Sequence, residues 1–378
     1  GDREARINAV DEESITNALI RVTTDTERVV YFTTGHGERG LDDDERNGAG
    51  LLKAALEKQH YVVRSLLLNQ PIPDDATVLV IAGARLRFLD AEIALLHDWL
   101  ERGGRLFLMQ DPGDDAGLGD LLAGYGVSFR DDVVIDKISQ LFGGDALVPL
   151  VAPEGYDEGH PITRSFEYQT FYPMARSIAV AEGGPAGVRV TELARTSEYS
   201  WGELSRDEVQ GGTIRMDEGV DVAGPVTLGA AIVRSREAAP PKADEAAADG
   251  AEMPGGGEPG GANGEAVPAE SGEAPGEGAR EKEGDAPPPE TRLVVFGDSD
   301  FPSNAYFNVS GNGDFVLSGI AWLAEQGELI SIRPKTATPR IVVLTSQQAF
   351  FYFWTIVACA PLAITVAGVG IWMRRRRL

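Results

Sequence analysis

The sequence predicts an α/β domain, a parallel sheet with helices on both faces, carrying a β-rich extension and followed by one C-terminal transmembrane helix. Three observations predict it. Short, nearly all-apolar runs alternate with helical patterns over residues 28–125, as expected for strands covered on both faces. A further apolar strand and helix recur at 292–325. Phe350–Met373 then runs for 24 residues without a charge and meets Arg374–Arg377 at once.

The elements follow in order. Asp11–Val22 reads as a helix, with Ile15, Leu19 and Val22 on one face and Asp11 or Ser14 as cap. Arg28–Thr34 is a strand ending in Gly35-His36-Gly37-Glu38. An acidic loop, Asp42–Glu45, leads to a helix over Gly48–Gln59. Tyr61–Leu67 and Thr77–Ala82 are strands, and Asp90–Arg102 is a helix stopped by Gly103-Gly104. Arg105–Gln110 is a strand ending in Asp111-Pro112-Gly113, with a short helix near Gly117–Tyr125 behind it. Residues 130–236 are less regular. Val133–Ile138, Arg176–Ala181, Val188–Thr196 and Pro225–Ser235 are candidate strands of a β-rich extension or small second lobe. Arg292–Phe296 and Asp314–Glu325 are the last strand and helix before the tail.

Residues 237–290 hold 13 Ala, 11 Gly, 9 Pro and 11 Glu, and 14 acids face 3 bases. Such a stretch cannot bury enough apolar surface to offset chain entropy, so it reads as a disordered acidic insertion between two strands. It divides the domain into 1–236 and a completing piece, 291–349. The span is 350–373 and the basic tail 374–378. Aromatic residues crowd both ends of the span, and the arginines mark its cytoplasmic end. Residues 1–349 are then expected outside the cytoplasm, at a bacterial inner membrane. The start at Gly1 reads as that of a processed or truncated piece.

The whole chain of 378 residues carries a net charge of −25, which repels phosphate backbones and argues against nucleic acid. Its one cysteine, Cys359, excludes a disulfide framework within the chain and a cysteine-built metal centre.

Four strand ends offer polar groups: His36 and Glu38, then Arg85, then Asp111, then Asp298 and Asp300. Neighbouring strands would gather them on one rim, where ligands of open α/β sheets sit. A histidine among carboxylates suits a divalent cation or acid–base work. The same residues also read as turn chemistry. The glycines beside His36 supply positive φ, Asp-Pro-Gly is a turn, and Gly-Asp-Ser-Asp offers Asx and cap groups. Gly35, Gly37 and Gly40 fit GxGxxG after a strand. The acids at Asp42–Glu45 repel pyrophosphate, so a turn is preferred there. P-loop, HExxH and GxSxG motifs do not occur. Ser299 is a conceivable nucleophile. His60, His97 and His160 read as surface, packing or loop residues, and Glu198-Tyr199-Ser200-Trp201 as packing or a groove wall.

Val30-Tyr31-Phe32-Thr33-Thr34-Gly35-His36-Gly37-Glu38 resembles the signature of the gliding-motility-type ABC-transporter auxiliary family, also described as an ABC-type uncharacterised transport system. Glu12–Ile20 is similar to the segment before that signature. Val295-Phe296-Gly297-Asp298-Ser299-Asp300-Phe301, Asn304, Trp322–Glu325 and Ile330–Lys335 are similar in order to the family's later part. The resemblance implies a fold like class I glutamine amidotransferases (flavodoxin-like) and work beside an ABC-2-type permease and a separate ATPase. Active amidotransferases carry a cysteine near the turn after Thr77–Ala82, and Gly83-Ala84-Arg85 supplies none. The expected function is a non-enzymatic, membrane-anchored auxiliary subunit with no cofactor, no metal and no catalytic residue. Its candidate ligand-binding residues are His36, Glu38, Arg85, Asp111, Asp298 and Asp300, facing an envelope polymer or peptide. An envelope hydrolase using His36, Glu38, Asp111 and Asp298, or a purely structural envelope protein, are the alternatives.

Overall fold

Short apolar strands buried on both faces build the body of the protein. The computed structural model describes residues 27–141, 144–212, 214–235, 290–324 and 360–376. The chain runs through β1 (Val29–Thr33), α1 (Gly50–Lys58), β2 (Val62–Leu66), β3 (Ala76–Ala82), α2 (Asp90–Glu101), β4 (Arg105–Met109), α3 (Gly119–Ala123), β5 (Val127–Phe129), β6 (Val133–Asp136) and α4 (Lys137–Leu141). It continues through β7 (Leu150–Val151), β8 (Thr170–Phe171), β9 (Ile178–Val180), β10 (Val188–Arg195), β11 (Ser200–Glu203), α5 (Arg206–Gly211), β12 (Val222–Ala223) and β13 (Thr227–Arg234). β14 (Thr291–Phe296), α6 (Asn312–Leu323) and α7 (Ala360–Arg376) complete it.

Nine strands form the main sheet in the order β2-β1-β3-β4-β14-β13-β9-β5, with β10 paired to β13. The first five are parallel to one another. From β13 onward every pairing is antiparallel. The sheet is therefore mixed, and the expected parallel sheet is one half of it. The cause is β13, which lies beside β14 as its antiparallel neighbour. The β-rich part extends this same sheet and adds two small ones, β12-β11-β6 and β7-β8.

Alternate residues face opposite layers because successive side chains of a strand point to opposite faces. Val30, Phe32, Val78, Val80, Phe107, Val294 and Phe296 pack with Leu52 and Leu56 of α1 and Phe315, Val316 and Ile320 of α6. Val29, Tyr31, Leu79, Ile81, Leu106, Leu108, Leu293 and Val295 pack with Leu96, Trp99 and Leu100 of α2 and Leu121 and Leu122 of α3. Helices thus cover both faces of the parallel half. α2 begins where the Glu92 carboxylate accepts the Leu89 N–H at 2.8 Å, half of a capping box.

The expected helix Asp11–Val22 and the insertion 237–290 lie outside the described residues, as do residues 350–359 of the expected span. Among the described residues no helix is long and apolar enough to cross a membrane. The described part of α7 is the 17 residues Ala360–Arg376.

Candidate functional site

Since β1, β3, β4 and β14 are parallel, their carboxyl ends lie along one edge of the sheet, and backbone bonds stitch the loops there together. Arg39 N–H donates to the Ala82 carbonyl, Gly83 N–H to Met109 and Gln110 N–H to Phe296, each at 3.0 Å. Two polar clusters are built on this edge.

The first centres on Arg39, a buried residue of the turn after β1. Its Nη2 donates to Asp300 Oδ1 at 2.7 Å and stands 3.5 Å from Asp111 Oδ2. Its Nε donates to Ser299 Oγ at 2.9 Å and its Nη1 to the Asn47 carbonyl at 3.0 Å. Ser299 in turn donates its N–H and its hydroxyl to the two oxygens of Asp111, at 2.6 and 2.7 Å. Asp298 is fully buried and accepts the N–H groups of Asp300 (2.7 Å) and Phe301 (3.1 Å). This is the turn chemistry that Gly-Asp-Ser-Asp predicts.

Asp111, Asp298 and Asp300 each offer an oxygen within 4.8 Å of the others. Burial pushes the Asp298 carboxyl well above the usual carboxylate range, and the nearby Asp111 and Asp300 act in the same direction. Asp300 is also raised by burial, with Arg39 pulling it back. Three hard oxygen donors suit a divalent cation in chemical type. Among the described residues the cation ion-paired with Asp111 and Asp300 is the guanidinium of Arg39.

The second cluster centres on His36. Its ring packs on Phe88 at 4.1 Å between centroids, and its Nε2 lies 3.0 Å from Glu92 Oε2 on α2. Nδ1 is 3.7 Å from Glu38 Oε1, while Glu38 Oε2 accepts the N–H of His36 at 2.7 Å. The His36 carbonyl accepts the N–H groups of Arg85 and Leu86 at 2.8 and 2.9 Å. Gly35 and Gly37 take positive φ, 114° and 84°, as the turn reading requires. His36 therefore ties the β1 turn to the loop that opens α2.

The six expected residues thus share an edge but do not form one constellation. Among the described residues, no hydrogen bond or ion pair joins the side chains of His36 or Glu38 to Asp111, Asp298 or Asp300. Arg85 is exposed, with its stem against Gly37, and its charge acts on Asp114 and Asp300. Sequence reasoning missed Arg39 and Glu92. The available signal for Arg39 was a lone cation directly after Gly-His-Gly-Glu, on an edge otherwise rich in acids. Ser299, a conceivable nucleophile from sequence, is buried between Asp111 and Arg39.

The GxGxxG reading fails as the acids imply. At the start of α1 the Leu51 N–H is taken by the Asn304 side-chain oxygen at 2.9 Å. The Asn304 amide donates to the carbonyls of Asp43 and Glu45, both at 2.7 Å, and so pins the acidic loop. His160 is a packing residue. Its Nδ1 accepts the Ile162 N–H at 3.3 Å, its ring lies 4.8 Å from Trp322, and burial lowers its pKa to about 4. Trp201 is buried in the small β12-β11-β6 sheet against Val133 and Ile135.

Among solved structures, the chain is similar to the mmIFT52 N-terminal domain at 14% identity and TM-score 0.47, over 78% of this chain and 97% of that one. It is similar to a putative ThuA-like protein from Bacteroides uniformis at 12% identity and TM-score 0.33, over 55% and 78%. Similarity to an exo-β-1,4-mannosidase from an Opitutaceae bacterium has 17% identity and TM-score 0.29, over 50% of this chain and 31% of that one. No curated protein matches. The family model described as an ABC-type uncharacterized transport system matches residues 27–319, which takes in every strand described here and both polar clusters. The chain belongs to that family, and with it to the auxiliary components of ABC-type transport systems.

Proposed function

We propose that this auxiliary component is non-enzymatic and membrane-anchored, with its α/β body outside the cytoplasm beside an ABC-2-type permease and its ATPase. The observation that carries the non-enzymatic reading is at Gly83, directly after β3. This is the turn where an amidotransferase-like fold would hold its nucleophile. Gly83 has φ +71°, and a Cβ built there would stand 2.3 Å from Ser299 Oγ. The space for a nucleophilic side chain is filled by a serine that Asp111 and Arg39 hold in place. A hydrolase would need His36, Glu38, Asp111 and Asp298 to act together, and their side chains are engaged in two separate networks.

The anchor reading draws on α7. Val369, Ile371, Trp372 and Met373 are exposed in near succession. Exposed apolar side chains directly before a basic cluster suit a lipid surface. Arg374, Arg375 and Arg376 follow directly.

Purification in mild detergent from cells that also express the permease and ATPase tests the reading. The chain should be recovered with both partners in fixed ratio, and in the membrane fraction after an alkaline wash. Recovery as a lone monomer in the aqueous fraction would overturn it.

A further inference from the structure

We propose that the last turn of α7 binds anionic lipid headgroups through Arg374, Arg375 and Arg376. The inference rests on the anchor reading and names the lipid chemistry that the anchor meets.

The three arginines are exposed and adjacent, on a chain whose net charge is −25. Among the described residues none of them pairs with a carboxylate. Each guanidinium presents five donors in a planar fork, which matches phosphate oxygens two at a time. Just before them, Val369, Ile371, Trp372 and Met373 are 48%, 61%, 58% and 49% exposed. Apolar side chains and a basic cluster therefore meet within two turns, as acyl chains and phosphates do at a membrane surface. Trp372 stands at the join, with the Arg376 guanidinium 5.2 Å from its ring centroid. An indole is placed at headgroup depth by its apolar body and polar N–H. Charge complementarity selects the partner. A zwitterionic surface gives three arginines little net attraction, whereas an anionic one attracts each of them.

Vesicle flotation of the full chain tests this, with phosphatidylcholine alone against phosphatidylcholine containing phosphatidylglycerol, at low salt. Partitioning should favour the anionic vesicles on the order of 100-fold, and the preference should shrink at high salt. The combined variant Arg374→Gln, Arg375→Gln, Arg376→Gln should lose the preference, while three lysines in their place should keep most of it. Equal partitioning of the wild type into both vesicles overturns this inference and leaves the anchor standing. Flotation with neither overturns both. A preference that survives in the glutamine variant, or appears only after removal of 237–290, also overturns it, since the arginines then have another role or an internal acidic partner.

Discussion

The Arg39 and His36 clusters stand on the same sheet edge, and each sets a nitrogen base among carboxylates. Around Arg39 one guanidinium serves Asp300 and Asp111 and also holds Ser299. Around His36 the imidazole meets Glu92 and Glu38, but much of its hold on the fold comes from elsewhere. Its ring lies on Phe88, and its carbonyl takes two backbone N–H groups. The difference separates two ways of fixing a loop. One depends on a permanent charge that offsets several acids, the other on packing and main-chain bonds.

Three substitutions can break or sharpen that contrast. The largest effect is expected for Arg39→Met, which leaves Asp111, Asp298 and Asp300 without their cation. Removing one partner of a buried ion pair costs about 3–5 kcal/mol, read from urea unfolding. A loss below about 1 kcal/mol would mean that the backbone donors alone hold the acids, and the contrast would vanish.

Asp298→Asn comes next, at about 1–3 kcal/mol near neutral pH, because the amide can accept only one of the two N–H groups that the carboxyl accepts. The pH dependence adds a sign. An acid whose folded pKa lies above its unfolded value binds more protons folded than unfolded between the two, so its contribution falls as pH rises through that window. The stability gap between wild type and Asp298→Asn should therefore narrow as pH climbs from about 4, the unfolded value. A gap that widens would place Asp298 among ordinary ionised caps.

The smallest effect is expected for His36→Gln. The side-chain amide can still donate to Glu92, and the main loss is the ring contact with Phe88, about 1 kcal/mol. Thermal unfolding of this variant beside Arg39→Met ranks the clusters directly, and a reversed order would invert the comparison.

Legibility followed the same physics. β1, β3, β4 and β14 are runs such as VVYFT and ATVLVIA, covered on both faces, so their apolar character marks them within a residue or two. In the antiparallel half β13 (TLGAAIVR) is such a run, but its short neighbours are not. β5 and β9 are three residues each, and β9 meets β13 through a single pair, Thr227 with Ile178. β11 reads as SWGE, where Gly202 is needed because a Cβ there would stand 2.1 Å from the Asp132 carboxylate. Its packing partner is a polar side chain, so hydrophobic patterning is silent. At the site, Asp111, Asp298 and Asp300 are legible as polar residues directly after strands. Arg39 is not, because only the order β1-β3-β4-β14 reveals that the turn after β1 reaches across to the loop after β14.

The position of β14 between β4 and β13 has a consequence for biosynthesis. A nascent chain completes both of those strands well before the one that joins them is translated. Until Phe296 clears the ribosome, two hydrogen-bonding edges stay open and apolar, the state most prone to wrong pairing. Premature termination ahead of Thr291 should therefore yield material for chaperones and proteases rather than a smaller working domain.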